Sequence, residues 1–82
     1  MSYSLLIIRP AARQLAAFPP ETYFELRDRI RGLGVDPLPP DAEKIEGKEG
    51  WKVYVGSHRL IYSVDRTAGK VTVLDVARRS DT

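Results

Sequence analysis

The feature that most constrains the fold is a pair of alternating segments on either side of a glycine-serine pair. Residues 51–56 (WKVYVG) and residues 59–65 (RLIYSVD) alternate in polarity, which is typical of strands that bury one face. Glycine suits the first central position of a two-residue hairpin turn, so Gly56 and Ser57 are predicted to connect the two strands. The C-terminal part of the chain therefore begins as a β-hairpin.

This turn determines which side chains share a face. Opposed residues point to the same side of a hairpin, and successive residues alternate. The expected core face carries Trp51, Val53, Val55, Leu60, Tyr62 and Val64. The opposite, exposed face carries Lys52, Tyr54, Arg59, Ile61 and Ser63. Two cations and a phenol thus share one exposed face, provided that the turn has an even number of residues. An ordinary solvated sheet face would give the same pattern.

A third strand follows, and Asp75 conflicts with its regular pairing. The valine-rich residues 70–77 predict this strand, joined to the previous one by a turn over residues 66–69. Regular antiparallel pairing would place the Asp75 carboxylate on the core face opposite Leu60, which is unfavourable. A β-bulge near Asp75, or an early end to the pairing, would relieve the conflict.

The same bulge decides which arginine joins the exposed face. Without a bulge Arg78 lies on the side of Lys52 and Arg59, and with a bulge Arg79 does. A third cation is expected at this end of the sheet in either case. If Lys52 and Arg59 lay on opposite sides of the sheet, there would be no shared site for an anion.

The N-terminal half predicts a strand and two helices. Residues 3–9 are apolar at both parities, which favours a central strand covered on both faces. Residues 10–18 predict a helix that Pro19 and Pro20 end. The second helix has a narrow apolar seam, and Gly32 and Gly34 are expected to form its C-terminal stop. That seam consists of Tyr23, Leu26, Ile30 and Leu33.

These elements together predict an α+β fold in the order β-α-α-β-β-β. An antiparallel helical hairpin would cover one face of the sheet, and the last three strands would form an antiparallel meander. Residues 35–50 contain three prolines and two glycines, which indicates a loop. At 82 residues, we expect a single domain over residues 1–82.

Composition excludes several classes of site. The chain has no cysteine, which excludes thiol catalysis and thiolate metal ligands and fits a reducing compartment. No His, Asp and Glu residues have the spacing of metal ligands, and no phosphate-binding glycine loop is present, so no metal and no small-molecule cofactor are expected. The longest apolar run, residues 5–8, is too short for a membrane span, so we expect a soluble cytoplasmic protein with no membrane partner.

Charge is distributed unevenly along the chain. Residues 51–82 carry six basic and three acidic side chains, for a net charge of +3, whereas residues 35–50 carry two basic and five acidic ones, for −3. A basic C-terminal part suits a polyanionic partner, although many solvated surfaces are equally basic. His58, the only histidine, lies in or beside the predicted turn; it is either simply exposed there or able to transfer a proton.

Four segments resemble the RelE/ParE superfamily of toxins from toxin–antitoxin modules. The superfamily has a Leu-x-Gly step, a hairpin of the form valine-glycine-aromatic-Arg-x-x-Tyr, and a basic final segment. The corresponding residues are 44–47 (KIEG), 51–56 (WKVYVG), 58–62 (HRLIY) and 76–81 (VARRSD). An opening strand and two helices separated by proline agree with the same family.

The resemblance implies a cytoplasmic stress-response toxin that a cognate antitoxin binds and silences. The small core and an apolar helical surface suggest that a helical antitoxin segment wraps the domain. RelE-like members cut mRNA on the ribosome without a metal, by attack of a ribose 2′-OH on the adjacent phosphate. By position, Lys52 and Arg59 would stabilise the phosphate, and Arg79 would act on the phosphate or the leaving group. Tyr54, His58 and Arg78 would contact the RNA.

The sequence departs from the family pattern at several of these positions. Tyr54 stands where some RelE members have a second lysine, and Arg78 where a histidine is common. The family's C-terminal tyrosine falls beyond Thr82, so Tyr54 or His58 would have to accept the 2′-OH proton. The alternatives are a ParE-like toxin that inhibits DNA gyrase without cutting RNA, and a degenerate toxin that only binds its antitoxin.

Overall fold

The computed structural model describes residues 2–79, which form two helices and one five-stranded mixed sheet. The helices are α1 (Arg9–Ala16) and α2 (Pro20–Val35). The strands are β1 (Ser4–Ile7), β2 (Glu43–Lys44), β3 (Trp51–Val55), β4 (His58–Asp65) and β5 (Lys70–Arg78). The sheet order is β1-β5-β4-β3-β2, with β1 parallel to β5 and the other neighbours antiparallel. Neither helix is long and apolar enough to cross a membrane.

This architecture confirms the predicted α+β fold and the β3-β4-β5 meander. Both helices pack on one face of the sheet, and apolar side chains from both layers form a single core. The buried core residues are Ala11, Leu15, Leu26, Ile30, Leu33, Val53, Val55, Leu60, Tyr62, Val71, Val73 and Val76. The apolar face predicted for the hairpin is therefore the face that the helices cover, and the cationic face is left open.

The strand β1 lies at an edge of the sheet, so the prediction of a central strand was wrong. Its sheet partner is β5, and Leu5 and Leu6 remain 39% and 48% exposed. Because both helices lie on the same face, no other described element covers the side chains on the opposite face of β1. Apolar residues at both parities therefore do not mark a doubly covered strand in this chain.

The helix α2 continues through Gly32 and Gly34 to Val35, so these glycines do not end it as predicted. Gly34 instead allows the helix to approach β1, because a Cβ at this position would lie 3.2 Å from Cδ1 of Leu5. The helix ends at Val35, two residues before a proline. Asp36 precedes Pro37 and is extended (φ −134°, ψ 93°), as expected where the proline ring disfavours helical backbone.

The predicted loop over residues 35–50 contains the two-residue strand β2, which pairs with β3 at the other edge of the sheet. An ion pair holds this segment to α2, since Arg29 Nη2 donates to both Asp41 carboxylate oxygens at 2.7 and 2.6 Å. The hydrogen bond from Arg29 lowers the pKa of Asp41. The loop is therefore fixed on both sides, by Arg29 and by β3.

A buried hydrogen bond ties the same loop to the core. The Tyr62 hydroxyl, at the centre of the sheet, donates to the Pro37 carbonyl oxygen at 2.7 Å. Burial raises the pKa of Tyr62 to about 12, because the phenolate would lose its hydration. The folded state therefore favours the neutral phenol.

Substituting Tyr62→Phe should change the alkaline pH dependence of stability. The folded pKa of about 12 lies above the usual value near 10, so the stabilisation from the neutral phenol is complete below pH 10. It is lost progressively as the pH rises towards 12. The phenylalanine variant should be less stable at neutral pH by about 1–3 kcal/mol, since the Pro37 carbonyl loses its donor. Urea unfolding between pH 8 and 11.5 measures the free energy of unfolding at each pH. This free energy should fall less steeply with pH in the variant than in wild type, and equal slopes would contradict the assignment.

Candidate functional site: a cationic groove on the open sheet face

The hairpin has the predicted register. Gly56 takes the left-handed conformation that the turn requires (φ 57°), and Tyr54 pairs with Arg59 while Lys52 pairs with Ile61. Because these residues alternate with the buried ones, their side chains point away from the helices. The prediction that Lys52 and Arg59 share one face of the sheet is confirmed.

The strand β5 contains the β-bulge that Asp75 had suggested. Ile61 pairs with Asp75 and Tyr62 pairs with Val73, so Leu74 is the extra residue. The shift moves Asp75 from the core face to the open face and carries Arg79 with it. The bulged alternative, with Arg79 rather than Arg78 beside the hairpin cations, is therefore confirmed. Ser80 and Asp81, the end of the basic segment, lie outside the described residues.

The three cations surround Tyr54. The Arg79 guanidinium carbon lies 4.1 Å from the centroid of the Tyr54 ring, and Lys52 Nζ lies 5.8 Å from it. Backbone contacts anchor Arg79 to the turn, since its N–H donates to the Ser57 carbonyl at 2.8 Å. An open groove of about 310 Å³ is lined by Ile45, Lys52, Tyr54, Arg59, Ile61 and Arg79.

Two of the cations face carboxylates. Lys52 Nζ lies 3.8 Å from Glu43 Oε1, and Arg59 Nη2 lies 3.6 Å from Asp75 Oδ2. These partly exposed ion pairs are weak, so both cations can still form charge-assisted hydrogen bonds with a phosphate. Sequence reasoning did not include Glu43 or Asp75 in the site. Asp75 had given a signal, as an acid in a valine-rich strand, whereas a two-residue strand such as β2 leaves no periodic pattern.

His58 and Arg78 do not join the groove. They pair with each other across β4 and β5, at the parity of the buried residues, so they lie on the side of the helices. The half-buried His58 ring meets the Phe18 ring edge-on, with centroids 4.8 Å apart. His58 and Arg78 therefore lie apart from Tyr54 and the groove cations; their contact with RNA, and His58 as a proton acceptor, stay predictions.

The groove is lined by the types of side chain that bind phosphodiesters and exchange protons. Arginine presents several N–H groups to phosphate oxygens, and lysine adds a compact charge. Of the six lining side chains, Tyr54 alone carries an oxygen that could take up a proton. Within residues 2–79, no group of three His, Asp or Glu side chains could hold a metal ion.

No protein-family model and no curated protein sequence matches the chain. Solved structures match it over nearly its whole length. One is the archaeal RelE–RelB complex from Pyrococcus horikoshii OT3, with a TM-score of 0.87 and 24% identity over 100% of both chains. Another is the toxin–antitoxin complex RelBE2 from Mycobacterium tuberculosis, with a TM-score of 0.86 and 23% identity over 96% of this chain and 100% of that one. A third is the isolated Escherichia coli RelE toxin, with a TM-score of 0.84 and 18% identity over 99% of this chain and 88% of that one. The chain therefore has the RelE fold.

Proposed function

We propose that this protein is the toxin of a type II toxin–antitoxin module and cuts mRNA on the ribosome. The observation that carries the proposal is the convergence of Lys52, Arg59 and Arg79 around Tyr54 on the open face of the sheet. The fold supports it, since the matching structures from P. horikoshii and M. tuberculosis are toxin–antitoxin complexes. Its partners would be a cognate antitoxin, the ribosome and mRNA.

The proposed reaction is a phosphoryl transfer within the RNA strand. The ribose 2′-oxygen attacks the adjacent phosphorus, and the bond from phosphorus to the 5′-oxygen of the next nucleotide breaks. The products are a 2′,3′-cyclic phosphate and a free 5′-hydroxyl. The transition state carries extra negative charge on the phosphoryl oxygens, so positioned cations accelerate the reaction without a metal.

The groove offers a role for each cation. Arg59 and Lys52 would bind the non-bridging phosphate oxygens. Lys52 would exchange its partner Glu43 for the substrate, and Arg59 would donate through the amino group that does not contact Asp75. Arg79, held against the Tyr54 ring, would bind the phosphate or stabilise the charge that develops on the leaving 5′-oxygen. This assignment uses the side chains that face the same open groove.

Tyr54 is the proposed acceptor of the 2′-OH proton and passes its own hydroxyl proton to solvent, while the leaving 5′-oxygen takes a proton from water. A Tyr54→Phe variant keeps the ring that supports Arg79 but loses the oxygen, so we expect single-turnover cleavage to slow by about a hundredfold. Its affinity for programmed ribosomes should be unchanged. Tyr54→Ala serves as comparison, because it also removes the surface under the Arg79 guanidinium and should weaken binding as well. Cleavage by the phenylalanine variant at the wild-type rate would show that Tyr54 accepts no proton and only packs against Arg79 or an RNA base.

The proposed function is tested by supplying the purified protein with ribosomes paused on a defined mRNA, beside the same mRNA without ribosomes. We expect cuts only on the ribosome, with 5′-hydroxyl and cyclic phosphate ends. Intact mRNA in both samples would contradict the proposal. Inhibition of DNA gyrase supercoiling by the same preparation would then assign a ParE-like activity instead.

A further inference from the structure

The side chain of Gln14 on α1 fills a gap at the edge of β5. The neighbouring strand β1 pairs with β5 only as far as Val73, so among residues 2–79 no strand pairs with the next part of β5 on that side. Gln14 Oε1 accepts a hydrogen bond from the Val76 backbone N–H at 3.0 Å. Gln14 Nε2 donates to Asp75 Oδ1, also at 3.0 Å. One partly buried amide therefore closes the strand edge and fixes the Asp75 carboxylate.

The other oxygen of Asp75 lies near Arg59, which lines the groove. Asp75 Oδ2 lies 3.6 Å from Arg59 Nη2, and the two side chains are 34% and 31% exposed. The bulge at Leu74 makes this contact possible, because without it the Asp75 carboxylate would point into the core. Gln14, Asp75 and Arg59 thus form a continuous polar chain from a helix behind the sheet to the cationic groove.

We propose that Gln14 and Asp75 are positioning residues that hold the Arg59 guanidinium in the orientation that meets the scissile phosphate. The inference rests on the proposed function, in which Arg59 is a phosphate ligand. Arginine has a long flexible side chain, and anchoring one of its amino groups reduces the orientations that it samples before substrate arrives. A contact through Nη2 leaves the Nη1 hydrogens free to donate to the phosphate oxygens.

A carboxylate beside a phosphate ligand could have the opposite effect, by competing with the substrate for the cation. The two roles predict opposite results when the charge is removed. If Asp75 only competes, Asp75→Asn should bind RNA more tightly and cut faster. If Asp75 positions Arg59, the variant should bind with unchanged affinity and cut more slowly.

The first test measures single-turnover cleavage on saturating programmed ribosomes. Asp75→Asn keeps the volume of the side chain and an oxygen for Gln14 but loses the charge that attracts Arg59. We expect its cleavage rate to fall about tenfold, as for a modest misplacement of a reacting group, with ribosome affinity unchanged. Asp28→Asn is the matched control, because it removes an exposed carboxylate 3.5 Å from Arg27 on α2, and it should cut like wild type.

A Gln14→Glu variant separates positioning from closure of the strand edge. Glutamate can still accept the hydrogen bond from the Val76 N–H, but it cannot donate to Asp75 and places a second carboxylate against it. If Gln14 serves only the strand edge, this variant should cut at the wild-type rate. Positioning predicts slower cleavage with unchanged ribosome affinity, as for Asp75→Asn. Wild-type or faster cleavage by both variants would overturn the inference.

A second readout does not depend on activity. The ¹⁵N–¹H heteronuclear NOE of the Arg59 Nε–H group reports how ordered the guanidinium is in the free protein. We expect an ordered group in wild type and a mobile one in Asp75→Asn and Gln14→Glu, with no change in Asp28→Asn. If the wild-type protein cut no RNA, the proposed function would be wrong. The NOE would still show whether Gln14 and Asp75 orient the Arg59 guanidinium. An Arg59 NOE that is the same in wild type, Asp75→Asn and Gln14→Glu would overturn the inference.

Discussion

Replacing Arg59 with alanine is expected to slow mRNA cleavage on the ribosome about a thousandfold, the scale of removing a preorganised group that stabilises transition-state charge. The substitution removes a guanidinium from the lining of the groove and leaves the Asp75 carboxylate without its cation. Both changes disfavour the doubly charged phosphorane. Single-turnover cleavage on programmed ribosomes measures the effect.

The control for this variant is Arg66→Ala. Arg66 lies exposed in the turn after β4, so its loss changes the net charge equally without touching the groove. It should cut at close to the wild-type rate. Wild-type cleavage by Arg59→Ala, or an equal loss in both variants, would show that the groove is not the phosphate site.

Replacing Leu26 with alanine is expected to cost about 3–5 kcal/mol of unfolding free energy, from lost apolar burial and a residual cavity. Leu26 is fully buried between α2 and the sheet. A domain of this size has a total stability of about 4–12 kcal/mol, so the variant should lose a large share of it. Urea unfolding followed by circular dichroism measures the loss.

The same substitution at Leu6 provides the comparison. Leu6 is 48% exposed on β1, so Leu6→Ala removes the same atoms from a site that is only partly buried. We expect a loss of about 1 kcal/mol or less. Equal losses at the two positions would contradict the view that the core lies between the helices and one face of the sheet.

The hairpin could be predicted because its signals are local. Alternation and a glycine turn determine which residues of β3 and β4 oppose each other, and these pairs place Lys52, Tyr54 and Arg59 together. The sequence showed that the regular pairing of β5 had to be interrupted near Asp75, but not by which irregularity. An acid opposite Leu60 was unfavourable, and the structure relieves it with an extra residue at Leu74.

The position of β1 could not be predicted from its own residues. Which strand lies at an edge depends on pairing between segments more than sixty residues apart, and apolar composition does not report it. Gly34 was misinterpreted for a related reason. A glycine late in a helix suits a C-terminal cap, but here it serves a close approach to Leu5, a contact that the local sequence does not record.

The site residues show the same limit. His58 lies only one residue from Arg59, yet strand alternation places it against Phe18 on the other side of the sheet. Gln14 looks like an ordinary polar residue on a helix surface, and its contact with Asp75 spans 61 positions of the sequence. Side-chain chemistry and parity therefore identify the cations of the groove, whereas the groups that orient them depend on tertiary packing.

The central claim is that the open face around Tyr54 binds a phosphodiester. The most direct measurement is an NMR titration of the free protein with a short RNA that carries a 2′-deoxynucleotide at the central position, so that it cannot be cut there. We expect saturable shifts of the amide and side-chain signals of Lys52, Tyr54, Arg59 and Arg79. Shifts confined to the helix side, around His58 and Arg78, or no saturable change in the groove, would contradict the account.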